Sequence, residues 1–257
     1  LPSGLQPPSP GESTEEAGCQ LKISPSTLVV RFGEQIKANC SKPRIGFPYL
    51  GWDTAPADSH TTTEDFLVWS LDNVTTWNMT PTCFALSDVG GSCTLKLPLI
   101  IYQPPNRVSI TLVNTTWPML EGQQYVLQCT VHNVAPVEKV TVTFYRGQKE
   151  LAQLKSNITE KSPVNESFNL SIIPCKEHDR TQYWCEAKLE LGPAGPQLPP
   201  VVKSEKLTTL VQTGPQLVHP VKQQLKDSVK CEVKVNPPSG NSGLGRAPLA
   251  KGQTVLQ

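Results

Sequence analysis

Asp53 closes the run Tyr49-Leu50-Gly51-Trp52-Asp53-Thr54, between Cys40 and Cys83. A carboxylate ending an apolar segment, in a small disulfide-stapled β domain, is a candidate ligand for a metal ion held by a partner protein. An ordinary loop carboxylate has the same local sequence, so the surroundings decide between the two. Other chemistry-bearing residues are thinly spread. His60, His132, His178 and His219 stand in unrelated contexts and read as surface histidines. No cysteines form a C-x-x-C pair, which argues against structural zinc. No serine lies in G-x-S-x-G, and neither H-E-x-x-H nor a glycine-rich nucleotide loop occurs. The residues therefore point to a non-enzymatic protein with no cofactor and no metal of its own.

The elements that must position Asp53 follow from composition and patterning. The chain has 257 residues, room for two compact domains of about 100 residues and an extra segment. Lys and Arg number 23 against 22 Asp and Glu, so no basic stripe argues for nucleic acid. With 25 prolines and 17 glycines, turns are frequent and helix is scarce. Eight cysteines imply an oxidising compartment. N-glycosylation triplets at Asn73, Asn78, Asn114, Asn157, Asn165 and Asn169 agree with an extracellular glycoprotein. Asn39 also heads a triplet, but its middle residue, Cys40, is expected inside a disulfide. Residues 1–18 lack an apolar core, so they are no signal peptide. No apolar run reaches the roughly 18 residues of a membrane span. The chain reads as a secreted protein or as an ectodomain cut above a membrane anchor.

Residues 1–18 read as a flexible leader, and structure is expected from Cys19. Short alternating runs then follow: Leu21-Lys22-Ile23, Leu28-Val29-Val30, Gln35 to Cys40, Leu67 to Leu71, and Thr94 to Tyr102 as a last strand. Pro104-Pro105 marks a boundary, and the short polar junction predicts a stiff joint. The plan repeats with Val108 to Leu112, Tyr125 to Val131, Val140 to Tyr145, Phe168 to Ile172, Gln182 to Ala187 and a closing Lys206 to Val211. Many short strands between turn signals predict an all-β chain of tandem immunoglobulin-like β-sandwiches, 19–103 and 104–214. Ser228 to Val233 resembles a first strand again, so 215–257 is read as an incomplete third immunoglobulin-like unit with a disordered tail.

Cys40 with Cys83, and Cys129 with Cys185, have the spacing of the bridge that clamps two facing sheets. Each such bond stabilises its domain by roughly 2–4 kcal/mol. Asp179-x-x-x-Tyr183-x-Cys185 matches the tyrosine corner of such sandwiches; the first unit has no tyrosine before Cys83. Neither unit is expected to keep a core tryptophan on its third strand, with Tyr49 or Leu50 and Phe144 in its place. Trp52 is open to two readings, an inward core aromatic or an exposed anchor beside Asp53. Cys19 with Cys93 is a further candidate pair. Cys175 and Cys231 either bond to each other or remain free or intermolecular.

The segments Ile101-Tyr102-Gln103-Pro104-Pro105-Asn106-Arg107-Val108, Trp117-Pro118, Glu121-Gly122-Gln123, Leu127-Gln128-Cys129-Thr130-Val131, Ala135-Pro136 and Phe144 to Leu151 run in register with one family. In them the chain resembles the intercellular adhesion molecules, with some features of the mucosal addressin. The resemblance covers about residues 24–213 and is stronger in the second unit. It implies a cell-adhesion ligand whose first domain docks on a leukocyte integrin. An acid near the end of the third strand then completes the coordination of the integrin's Mg²⁺. That role falls on Asp53, with Trp52 and Thr54 beside it. The family usually carries Glu there; an Asp-Thr pair is closer to the addressin and vascular adhesion proteins, so both β2 and α4 integrins are candidate partners. The family's C-x-x-x-C spacing at the tip of the first domain is missing, which implies a Cys19–Cys93 replacement or no second bridge. A receptor ectodomain or soluble decoy that binds another protein without metal is the alternative, and homodimerisation is left open.

Overall fold

The computed structural model describes residues 20–55, 59–113, 117–214 and 230–235. Its strands fall into two sets. The first comprises β1 (Lys22–Ser24), β2 (Leu28–Arg31), β3 (Ile36–Ser41), β4 (Tyr49–Asp53), β5 (His60–Thr62), β6 (Phe66–Leu71), β7 (Thr82–Leu86), β8 (Ser92–Lys96) and β9 (Leu99–Tyr102). The second comprises β10 (Arg107–Val113), β11 (Met119–Leu120), β12 (Tyr125–Val134), β13 (Val140–Arg146), β14 (Lys149–Lys155), β15 (Val164–Ile173), β16 (Gln182–Leu189), β17 (Val201–Lys203), β18 (Leu207–Thr208), β19 (Val211–Gln212) and β20 (Glu232–Val235).

In the first set, a β1-β3-β6 sheet faces a β5-β4-β7-β8 sheet. Period-two alternation explains the packing. Ile36, Ala38 and Cys40 of β3 point inward, as do Leu50 and Trp52 of β4 and Cys83 and Ala85 of β7, and these form one core. The Cys40–Cys83 bond crosses it, joining residues 43 apart in sequence. The expected last strand, Thr94 to Tyr102, is two strands. After β8 the chain breaks at Leu97-Pro98, and β9 leaves that sheet to pair in parallel with β2. Proline lacks the N–H that a continuing ladder needs.

The second sandwich packs a β10-β12-β15-β20 sheet against a β14-β13-β16-β17 sheet. Leu127, Cys129 and Val131 meet Val142, Phe144, Tyr183 and Cys185 in a larger core. Cys129–Cys185 crosses it with a sequence separation of 56. The expected closing strand, Lys206 to Val211, is split. β18 pairs with β16, and β19 crosses to pair in parallel with β11.

The two sandwiches are joined without a free linker. Gln103 N donates to Ala135 O at 2.8 Å and Ala135 N donates back to Gln103 O at 3.1 Å. Gln103 Nε2 also donates to Asn133 O. Val29, Ile100 and Tyr102 of the first sandwich pack against the core of the second.

The third unit read from the sequence takes a different form where it is described. Cys231 bonds Cys175, and β20 pairs antiparallel with β15, Ile173 opposite Glu232 and Leu170 opposite Val235. These residues extend the second sandwich's sheet rather than open a new one. Sequence periodicity identified the strand, but the partner it pairs with is a long-range choice made by the disulfide and the open edge of β15. Residues 215–229 and 236–257 lie outside the described residues. No helix among the described residues is long and apolar enough to cross a membrane.

Candidate functional site

Asp53 is the last residue of β4, and strand parity sets its direction. Leu50 and Trp52 turn inward, while Tyr49, Gly51 and Asp53 turn to the outer face of the β5-β4-β7-β8 sheet. Across the sheet Asp53 stands opposite Thr82, and Thr82 opposite Lys96. The Asp53 carboxylate is exposed, and Oδ1 accepts a hydrogen bond from Ala55 N at 3.3 Å, which turns the chain out of the strand. None of the ion pairs among the described residues involves Asp53. An exposed carboxylate with no cation on it retains oxygen lone pairs for an outside ligand.

The residues around it make a shaped surface. Phe84 of β7 stands opposite Gly51 and lays its ring over the glycine. A Cβ at position 51 would clash with Phe84 Cζ, lie 2.7 Å from Cε1 and lie 2.9 Å from His60 O. Glycine is therefore required here by close approach of a ring, not by a special backbone angle. Tyr49 (48 % exposed) and Leu86 (40 % exposed), opposite each other in the same pair of strands, continue the apolar surface. The result is an aromatic shelf with an acid at one end. Sequence reasoning missed Phe84. The available signal was Gly51, since an isolated glycine in a strand pattern marks close approach of another group.

Two of the three expected contact residues do not reach this surface. Trp52 is 0 % exposed and stands opposite Cys83, and its indole Nε1 donates to Leu67 O at 2.9 Å. Its ring lies 5.7 Å from that of Trp69. The first sandwich thus has a core tryptophan on β4 beside the inter-sheet disulfide, the inward one of the two readings of Trp52, where only Tyr49 or Leu50 was expected to fill the core, and Trp52 is no exposed anchor. Thr54 is 1 % exposed. Its side chain is part of the frame under Asp53 and is not presented to a partner.

Other expected sites divide as follows. Cys93 is disulfide-bonded, while Cys19 lies outside the described residues. Asn73, Asn78, Asn157 and Asn165 are exposed; Asn169 is half-buried with its Oδ1 accepting from Gln128 Nε2, and Asn114 lies outside the described residues. Asn165 and Asn169 share the outward face of β15. Among the described residues the histidines do not converge with an acid as a catalytic site requires. His132 sits with Arg107 and Ser109 near the joint. His178 accepts from Cys175 N and lies 3.4 Å from Arg146, and burial, with that guanidinium beside it, holds it below the usual histidine range. One group among the described residues, Cys175, Glu177 and Cys231, has metal-ligand spacing, but both sulfurs are joined in a disulfide and offer no thiolate.

Fold and joint together define a module of tandem immunoglobulin-like sandwiches. No family model matches the chain. It is 28 % identical to human intercellular adhesion molecule 1 over 218 residues, covering 83 % of this chain and 38 % of that protein. It is 26 % identical to intercellular adhesion molecule 3 of Bos taurus over 208 residues, 78 % of this chain and 36 % of that one. The chain thus spans under two fifths of the length of these curated relatives. Among solved structures, the ICAM-5 D1–D4 ectodomain fragment superposes with a TM-score of 0.55 at 19 % identity, over 77 % of this chain and 52 % of that one. That likeness bears on the fold alone, and it is a likeness of tandem immunoglobulin-like domains. The chain is intercellular-adhesion-molecule-like across both sandwiches.

Proposed function

We propose that this chain is an extracellular, non-enzymatic adhesion module that engages a leukocyte integrin through Asp53, whose carboxylate completes the coordination of a Mg²⁺ held by the integrin. The observation that carries the reading is the exposed carboxylate at the end of the aromatic shelf, which joins none of the ion pairs among the described residues. Likeness to intercellular adhesion molecules supplies the partner class. A carboxylate oxygen suits Mg²⁺, a hard cation that demands near-octahedral geometry at about 2.1 Å. Phe84 and Tyr49 supply aromatic area of the kind that concentrates binding energy around such a contact. Asp is one methylene shorter than Glu, so the shelf must approach the integrin more closely than a Glu-bearing ligand would. The Asp53-Thr54 pair, closer to the addressin and vascular adhesion proteins, keeps an α4 integrin as a candidate beside a β2 integrin.

The test is adhesion of integrin-bearing cells to immobilised protein in Mg²⁺ and in chelator. Asp53→Asn keeps the side-chain shape and removes the charge. Adhesion should fall to the chelator background while circular dichroism stays unchanged. Asp53→Glu should shift binding toward β2-bearing cells. Wild-type binding by Asp53→Asn would overturn the reading, and binding that persists in chelator would assign the chain to a metal-independent receptor role.

A further inference from the structure

A cleft of about 590 Å³ opens between the sandwiches. Trp77 and Asn78 line it from the β6–β7 connection of the first, and Thr159, Glu160, Lys161 and Ser162 line it from the β14–β15 connection of the second. No hydrogen bond or ion pair crosses it among the described residues. Both walls are nonetheless ordered from behind. The Trp77 ring stacks on Phe32 at 4.2 Å between centroids and 10° between planes, so one of its faces is taken. Opposite, Glu160 Oε1 accepts from Lys161 N, Ser162 N and Ser162 Oγ, and Lys161 Nζ reaches Glu138 Oε1 at 2.8 Å. Two firm walls, one aromatic and one polar, face each other across it.

Asn78 is exposed and begins the triplet Asn78-Met79-Thr80. We infer that an N-linked glycan on Asn78 occupies this cleft and splints the two sandwiches. The volume lies within the roughly 300–1,000 Å³ that small-molecule-sized ligands fill, enough for the first sugars of the glycan. An N-acetylglucosamine has an apolar C–H face for the free side of Trp77 and hydroxyl and amide groups for Thr159 to Ser162. Attachment is the usual transfer from a lipid-linked diphosphate oligosaccharide. Asn78 Nδ2 bonds the anomeric carbon, the bond from that carbon to the diphosphate breaks, the amide loses a proton and the lipid diphosphate leaves. Rocking about the Gln103–Ala135 joint changes the width of the cleft, so a cleft filled by covalently tethered sugar holds one angle. This inference rests on the triplet and the cleft and is independent of the integrin reading.

Thr80→Ala removes the acceptor triplet and leaves Asn78 in place, and Thr75→Ala removes the neighbouring Asn73 triplet as a control. The full chain, secreted from glycosylating cells, is read by glycopeptide mass spectrometry, by amide exchange over 157–162 and by small-angle scattering. Asn78 should be occupied in the wild type. Thr80→Ala should raise exchange over 157–162 several-fold and broaden the inter-sandwich distance distribution, with Thr75→Ala unchanged. Trimming the glycan to one N-acetylglucosamine should retain most of the protection. Asn78→Gln serves if Thr80→Ala is poorly secreted. An unoccupied Asn78, or exchange and scattering identical with and without its glycan, would overturn the inference.

Discussion

The outer faces of the two sheets that carry β4 and β13 occupy the same place in their sandwiches and are finished differently. On the second, Tyr145 and Trp184 stack on each other at 4.1 Å, Lys203 Nζ lies 5.4 Å from the Trp184 ring, and Trp184 Nε1 donates to Gly147 O. Its acids are engaged too. Glu186 accepts from Tyr145 Oη; Glu190 accepts from Thr141 Oγ1 at 2.7 Å and pairs with Lys155, and the hydroxyl contact leads the causes that hold it below the usual carboxylate range. On the first, Phe84 lies on a glycine instead of on another ring, and Asp53 joins none of the ion pairs among the described residues. The second face satisfies itself, while the first leaves an aromatic surface and a charge for something outside the chain. Burial and hydrogen bonding separate a sheet face that pairs its own groups from one that leaves them open, where composition does not.

The comparison can be broken first at its frame. Trp52→Ala empties a fully buried site, so the first sandwich should lose about 3–5 kcal/mol, seen as a lower denaturant midpoint while the second sandwich's transition stays in place. Lost adhesion at unchanged stability would instead restore Trp52 as a surface anchor. Gly51→Ala acts on the shelf. Its Cβ must displace the Phe84 ring, at a cost of about 1–3 kcal/mol, and adhesion should drop with the acid still present. Unchanged adhesion would show that Asp53 acts without the shelf. The smallest effect belongs to the self-satisfied face. Trp184→Ala loses the stack, worth about 0.5–1.5 kcal/mol beyond area burial. Thermal unfolding of the second sandwich should fall by a few degrees with adhesion intact, and a parallel loss of adhesion would extend the binding surface into that sandwich.

Much of the fold was legible because cysteine spacing and period-two alternation are local signals. Both crossing disulfides and most strands lie where those signals put them. Trp52 shows what was left unused. Neighbours in a strand face opposite ways, so an outward Asp53 already requires an inward Trp52. Phe84 over Gly51 was only half legible, since the glycine marks close approach but does not name the visitor. The pairings of β9 with β2 and β20 with β15 were not legible, because ladder partners distant in sequence leave no periodic trace in either strand. The expectation for Asp53 came from register with a family, and that it joins none of the ion pairs among the described residues is visible only in three dimensions.

The pairing of β20 with β15 also sets how the module would carry tension. β20 runs antiparallel to β15 from its far end, so the chain passing Val235 points back along the sheet. A pull arriving there meets a four-residue ladder and then the Cys175–Cys231 bond, which closes a loop 56 residues long in sequence. The force is handed to the sandwich at Cys175, and from there the shortest covalent path runs through the few residues to Cys185 of β16 and across the core by the Cys129–Cys185 bond. The ladder can yield under load, but the strands that complete the second core cannot be drawn out behind it.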